Sequence, residues 1–113
     1  MKITQSALLN SSQTAQAKKL GAAFARLRIA RGMKQDQAAL RAGVSRNTAY
    51  RLEKGDPGVA MGQVLRYLEA IVPGKTLLEL LSETDPALAA LSAKEQRRRA
   101  RELSKRELEE IDF

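Results

Sequence analysis

The sequence predicts an all-α fold: a compact five-helix domain followed by a helical C-terminal extension. Three observations carry that expectation. Hydrophobic residues are 43% of the chain but aromatics only 4%, so the core must come from Leu, Ala, Ile and Val, as packed helices use. Three prolines and seven glycines in 113 residues leave room for long helices. Apolar residues also recur at helical spacing, as in Leu20, Phe24 and Leu27, which share one face. A chain of this length supports one modest core. Residues 1–13 read as a flexible polar arm, 14–83 as the domain and 84–113 as the charged helical extension.

The first helix is expected over Ala17 to Arg31, with Arg26, Arg28 and Arg31 mostly off its apolar face and Gly32 as its stop. Gln35 opens the second helix. Ala38, Ala39 and Ala42 give it a small-residue face that another helix can approach closely. Gly43 sits where that helix ends, since glycine accepts the left-handed conformation of a C-terminal cap. Ser45 can then cap a third helix by accepting a backbone N–H. This helix runs to about Lys54, with Gly55 as its stop, and carries Arg46, Asn47, Tyr50 and Arg51 on its outer face.

Two short helices joined by a tight turn, the second beginning with Arg and Asn, suit the major groove of DNA. Arg pairs bidentately with guanine and Asn with adenine. The stretch from Gln35 to Gly55 therefore reads as a helix-turn-helix whose second helix, 45–54, is the recognition helix. Arg46, Asn47 and Arg51 are the candidates for base edges, and Tyr50 for a thymine methyl or a sugar. Ser45, Thr48 and Lys54 are better suited to phosphates.

After the turn Gly55-Asp56-Pro57-Gly58, a fourth helix is expected from Ala60 or Met61 to Ile71. Its apolar face is Met61, Val64, Leu65, Leu68 and Ile71, with Met61 as core filler. Val72-Pro73-Gly74 ends it, and Thr76 can cap a fifth helix whose Leu77, Leu78, Leu80 and Leu81 are too apolar for a lone surface turn. Asp85-Pro86 reads as the start of the extension. Ser92-Ala93-Lys94-Glu95 and Ser104-Lys105-Arg106-Glu107 both fit the capping-box pattern, with Arg97-Arg98-Arg99-Ala100-Arg101 between them. This tail is poor in core residues. It reads as a solvated, frayed extension, as a partner-binding or dimer-bracing element anchored by Leu103, Leu108, Ile111 and Phe113, or as a basic run beside DNA. Its neighbouring acids argue against the last.

Charge follows the same division. Residues 1–59 hold eleven Lys and Arg against three acids, a net +8, and residues 60–113 hold nine against ten, a net −1. The positive excess thus lies in the half that contains the helix-turn-helix, as binding to phosphates requires. With no cysteine and no histidine, disulfides, thiolate or imidazole metal sites, Cys nucleophiles and His bases are excluded. No paired acidic constellation stands out, so no enzyme, catalytic residue, metal ligand or cofactor is expected. No membrane-length apolar run or signal-peptide pattern is evident, and a cytoplasmic, nucleoid-associated protein is expected.

Met33-Lys34-Gln35, Ala39, Ala42-Gly43-Val44-Ser45, Thr48 and Arg51-Leu52-Glu53-Lys54-Gly55 resemble the lambda-repressor-like, or XRE, helix-turn-helix family. The likeness extends back through Leu20-Gly21, Phe24, Leu27-Arg28 and Arg31-Gly32 and forward to about Ile71. It implies a compact five-helix lambda-repressor-like domain that binds double-stranded DNA as a homodimer. It further implies a DNA phosphate contact at Gln35 and an ion pair between Arg28 and Glu53. Lys34 stands where Thr or Ser is usual, which weakens the cap but adds a phosphate contact. Ala38 replaces a larger aliphatic, and Leu40 falls near the surface, so the helix is rotated or Leu40 meets a partner. The resemblance places the dimer contact in the region of Leu77, Leu78 and Leu81. The function implied is a dimeric repressor, including autorepression, at a palindromic operator. The alternatives are an antitoxin of the HipB type that also holds a toxin protein, and a protein-interaction adaptor, the toxin or other partner being expected on the C-terminal extension.

Overall fold

In the computed structural model, which describes residues 4–82 and 86–111 (107–111 by their backbone alone), most of the segment expected to be a loose arm is helical. A single turn, α1 (Gln5–Leu8), precedes α2 (Ser11–Ala30). α2 starts ahead of the expected Ala17 because Asn10 caps it. Asn10 Oδ1 accepts the Gln13 N–H at 2.8 Å, and Gln13 Oε1 accepts the Asn10 N–H at 3.1 Å. This reciprocal pair satisfies two N–H groups that a helix start otherwise leaves open.

The next four helices begin where the sequence places them: α3 (Gln35–Ala42), α4 (Arg46–Glu53), α5 (Met61–Ile71) and α6 (Leu77–Leu81). Ser45 Oγ accepts the Thr48 N–H at 3.0 Å and Thr76 Oγ1 accepts the Glu79 N–H at 3.2 Å, so both expected N-caps are made. Gly43 ends α3 at φ +69°, and Val44 N–H returns to the Ala39 carbonyl. The compact five-helix domain of the sequence reading is therefore α2–α6.

Its core is Phe24 and Leu27 from α2, Ala38, Ala39 and Ala42 from α3, and Ala49 and Leu52 from α4. Tyr67, Leu68, Ile71 and Val72 come from α5 and its end, and Leu80 from α6. The three alanines of α3 let α4 and α5 both pack directly on it. Phe24 and Tyr67 meet edge to face, with ring centroids 6.1 Å apart. Two expectations for α5 are corrected. Met61, read as core filler, is 64% exposed, and Leu65 is half exposed. The buried arc of α5 is centred on Tyr67, Leu68 and Ile71. Met61, in the first turn, reaches only the rim of a hollow with Leu20, Val64 and Leu77.

The extension is one unbroken helix, α7 (Pro86–Ile111). It runs through both capping-box sequences, so neither Ser92 nor Ser104 starts a helix. Nor is its first part a solvated tail. Leu88 is buried in the core cluster, and α7 lies along α2, where Arg26 reaches Ser92 Oγ at 3.0 Å and Glu95 Oε1 at 2.8 Å. From Gln96 to Arg106 every residue is exposed. Asp85 and Phe113 lie outside the described residues, and Leu108 and Ile111 are placed only as backbone in the last turns of α7. Among the described residues, no helix is long and apolar enough to cross a membrane.

Candidate nucleic-acid interface

The position of α4 is set by a backbone crossing and a buried ion pair. Gly21 of α2 and Gly55 after α4 touch without side chains. A Cβ on Gly21 would lie 2.5 Å from Gly55 N and 2.7 Å from the Glu53 carbonyl oxygen. A Cβ on Gly55 would lie 2.5 Å from the Ala17 carbonyl oxygen, and its φ of +79° disfavours any other residue. Glu53, at the end of α4, is buried with its charge answered from two sides. Arg28 Nε donates to Oε2 at 2.7 Å and Nη2 to Oε1 at 3.0 Å, a bidentate fork. Arg28 Nη1 also donates to the Met33 carbonyl at 2.8 Å, and the Tyr67 hydroxyl donates to Glu53 Oε2. Hydrogen bonding to Glu53 raises the Arg28 pKa above its ordinary value. Burial, then the hydrogen bond to Glu53, pushes the Tyr67 phenol well above its ordinary value. The ion pair expected at Arg28 and Glu53 is present. Tyr67, its third member, was not foreseen, since it reads as one more position between Val64 and Leu68.

With Ala49, Leu52 and Glu53 turned inward, α4 presents Arg46, Asn47 and Tyr50 to solvent. Among the described residues Arg46 and Asn47 have no hydrogen-bond or ion-pair partner within the chain. Tyr50 is covered on one face by Lys54, whose Nζ is 5.5 Å from the ring centroid. Arg51 is differently placed: its Nε donates to Asp56 Oδ2 at 2.7 Å, while Asp56 Oδ1 accepts the Gly58 N–H at 2.8 Å. The Arg51 guanidinium, followed by the Gly58 N–H, holds the Asp56 carboxyl below its usual value. Arg51 is thus tied to the loop after α4 rather than free over its face. The sequence signal for that brace, an Asp five residues on in a turn, is too common to single out.

Ser45 and Thr48 bond to each other, with Ser45 Oγ donating to Thr48 Oγ1 at 2.9 Å, so their oxygens serve the helix start. At the head of α3, Lys34 is exposed and Gln35 half-buried. The Lys34 N–H is taken by Gln37 Oε1 at 3.0 Å, which supplies half of the cap that Lys34 cannot make. Ala38 is fully buried and Leu40 is 82% exposed, beside Asp36, Val44 and Arg46. Of the residues assigned to a dimer or partner contact, Leu77 packs partly on the core, whereas Leu78 and Leu81 are 79% and 59% exposed. The buried member of that cluster is Leu80.

The arrangement is two packed helices, α4 with a polar outer face and α3 with its first turn, at Asp36 and Gln37, bordering Arg46. No group of three or more His, Cys, Asp or Glu able to hold a metal occurs among the described residues. No curated protein and no solved structure matches the chain. A protein family described as "Helix-turn-helix domain" matches residues 19–81, more than half of the 113. That span runs from the Gly21 crossing through α3 and α4 to the end of α6, and the chain belongs to this helix-turn-helix domain family.

Proposed function

We propose that the protein is a sequence-specific regulator of transcription that binds double-stranded DNA, with α4 as the recognition helix. The observation that carries this is the outer face of α4. Arg46 and Asn47 stand unpaired on its first turn, on a helix whose opposite face is locked by Glu53 and by the Gly21–Gly55 crossing. Freely presented Arg and Asn on a rigid helix are what base-edge readout in the major groove needs. Lys34, Gln35 and Lys54 hold the helix pair on phosphates, which position without specifying sequence. Arg51 reads a base only by leaving Asp56, so its first role is to hold the loop after α4. Binding alone performs this function, without catalysis or cofactor.

The acting form is a homodimer joined through Leu78 and Leu81, reading a palindromic operator and repressing its own gene. A symmetric dimer must present the same patch twice, and two exposed leucines on one short helix support that. In the antitoxin version of this reading, a toxin occupies another exposed apolar position, for which Leu40 is available. The readout test substitutes Arg46→Ala and Asn47→Ala separately and compares a specific with a scrambled duplex. Each should lose about 1–3 kcal/mol of preference at one base step, with little change on scrambled DNA. Equal losses on both duplexes would reduce these residues to phosphate contacts.

A further inference from the structure

The distal half of α7 is the largest feature that the domain does not explain. Between Gln96 and Arg106 the helix carries Arg97, Arg98, Arg99, Arg101, Lys105 and Arg106 against Glu102 alone, a net +5; the acids that weigh against a basic tail by composition, Glu107, Glu109, Glu110 and Asp112, follow this run in sequence and do not interrupt it. All of these are exposed. The helix does not hang loose at its base, because Leu88 is buried and Arg26 ties Ser92 and Glu95. Its contacts also advance in the same sense as α2. Leu88 and Ala89 share a hollow with Ala23, and Ser92 and Glu95 meet Arg26 one turn later. α7 therefore heads toward the C-terminal end of α2, and only Arg31–Lys34 separate that end from the head of α3.

Lengths place the basic segment beyond the body. From Arg26 to the end of α2 is about 6 Å, whereas Glu95 to Arg106 is about 16 Å of helix. The molecule's extents, 65 × 32 × 25 Å, fit a rod leaving a compact body. We propose that residues 97–106 of α7 form a second DNA-binding surface, contacting phosphates that flank the site covered by α3 and α4. The ligand is a polyanionic duplex backbone, recognised by charge and without base readout. This rests on the reading of α4 as a DNA-recognition helix, since that reading puts the duplex at the head of α3. A second copy of the chain is the competing occupant. The basic segment favours DNA because like segments would repel in a parallel pair, and Leu103 is the one large apolar side chain that residues 96–106 expose.

The six cations point around the helix, so about half can reach one backbone, giving about two to three phosphate contacts. Each neutralised phosphate adds roughly 0.9 to the salt exponent of binding. The experiment uses the full chain, a 40-base-pair random-sequence duplex and a salt series. It compares wild type, R97Q/R98Q/R99Q/R101Q and the corresponding four-lysine variant. Gln and Lys both keep helix propensity, and circular dichroism verifies the fold. The Gln variant should lower the salt exponent by about two and weaken binding about a hundredfold near 0.1 M salt, roughly tenfold per unit of exponent relative to 1 M, while the Lys variant retains both. An unchanged exponent in the Gln variant overturns this proposal and leaves the α4 reading standing. A fall from dimer to monomer in sedimentation, with the exponent per protomer unchanged, overturns it in favour of a second copy. Absence of wild-type binding to any duplex overturns both.

Discussion

Removing Glu53 tests most sharply how the recognition helix is held. In Glu53→Ala, Arg28 loses two of its three hydrogen bonds and the Tyr67 hydroxyl loses its acceptor. What remains is a guanidinium only 14% exposed at its side chain, kept partly satisfied by the Met33 carbonyl. Breaking one partner of a buried pair costs about 3–5 kcal/mol. The surviving Met33 contact and residual solvent access place this case near the low end, about 3 kcal/mol. For a domain of this size that corresponds to a fall in Tm of roughly 12–24 °C. Thermal unfolding followed by helical circular dichroism reads it directly. Arg28→Met combined with Glu53→Leu should recover much of the loss, because two apolar side chains leave no buried charge behind. A fall under about 3 °C in Glu53→Ala would show that the network does not hold α4, and would refute the reasoning.

The backbone crossing predicts that Gly21→Ala, whose Cβ would meet Gly55 N at 2.5 Å, costs about 2–3 kcal/mol; an unchanged Tm would refute the close approach. Tyr67 predicts a pH dependence. Its folded-state pKa is raised above the unfolded value near ~10, so its contribution is full below that pH and is lost as pH rises further. The stability gap between wild type and Tyr67→Phe should therefore narrow from pH 8 to pH 11 in denaturant titrations, and a constant gap would contradict it. Asp56→Asn removes a half-exposed partner of Arg51 and should cost under about 1 kcal/mol in the same titrations, and a larger loss would show a structural role beyond the loop.

What the sequence revealed follows from the range of each interaction. The helix-turn-helix was legible because its signals are local: Gly43 must take a positive φ, Ser45 caps within three residues, and Gly55 closes α4. The start of α2 is also written locally, as Asn10-x-x-Gln13, but the polar composition of the segment masks that signal. Other features depend on residues far apart in the chain. Tyr67 joins Glu53 across 14 positions and Arg26 joins Ser92 across 66, and neither pairing leaves a periodic trace. The docking of α7 was missed for this reason, since one buried Leu88 and two polar contacts suffice to anchor a helix whose composition looks fully solvated. Met61 shows the converse. Apolar spacing marked the face of α5 correctly, but only packing decides how far along the helix that face is covered.

Base readout by α4 is what separates a sequence-specific regulator from a general DNA binder. The most direct test is the affinity of the wild-type chain for duplex DNA from its own upstream region. A scrambled duplex of equal length and composition, at about 0.15 M salt, is the comparison. A preference of at least about 10³-fold for the upstream duplex is expected. Equal affinity for the two duplexes would contradict autorepression through base readout by Arg46 and Asn47.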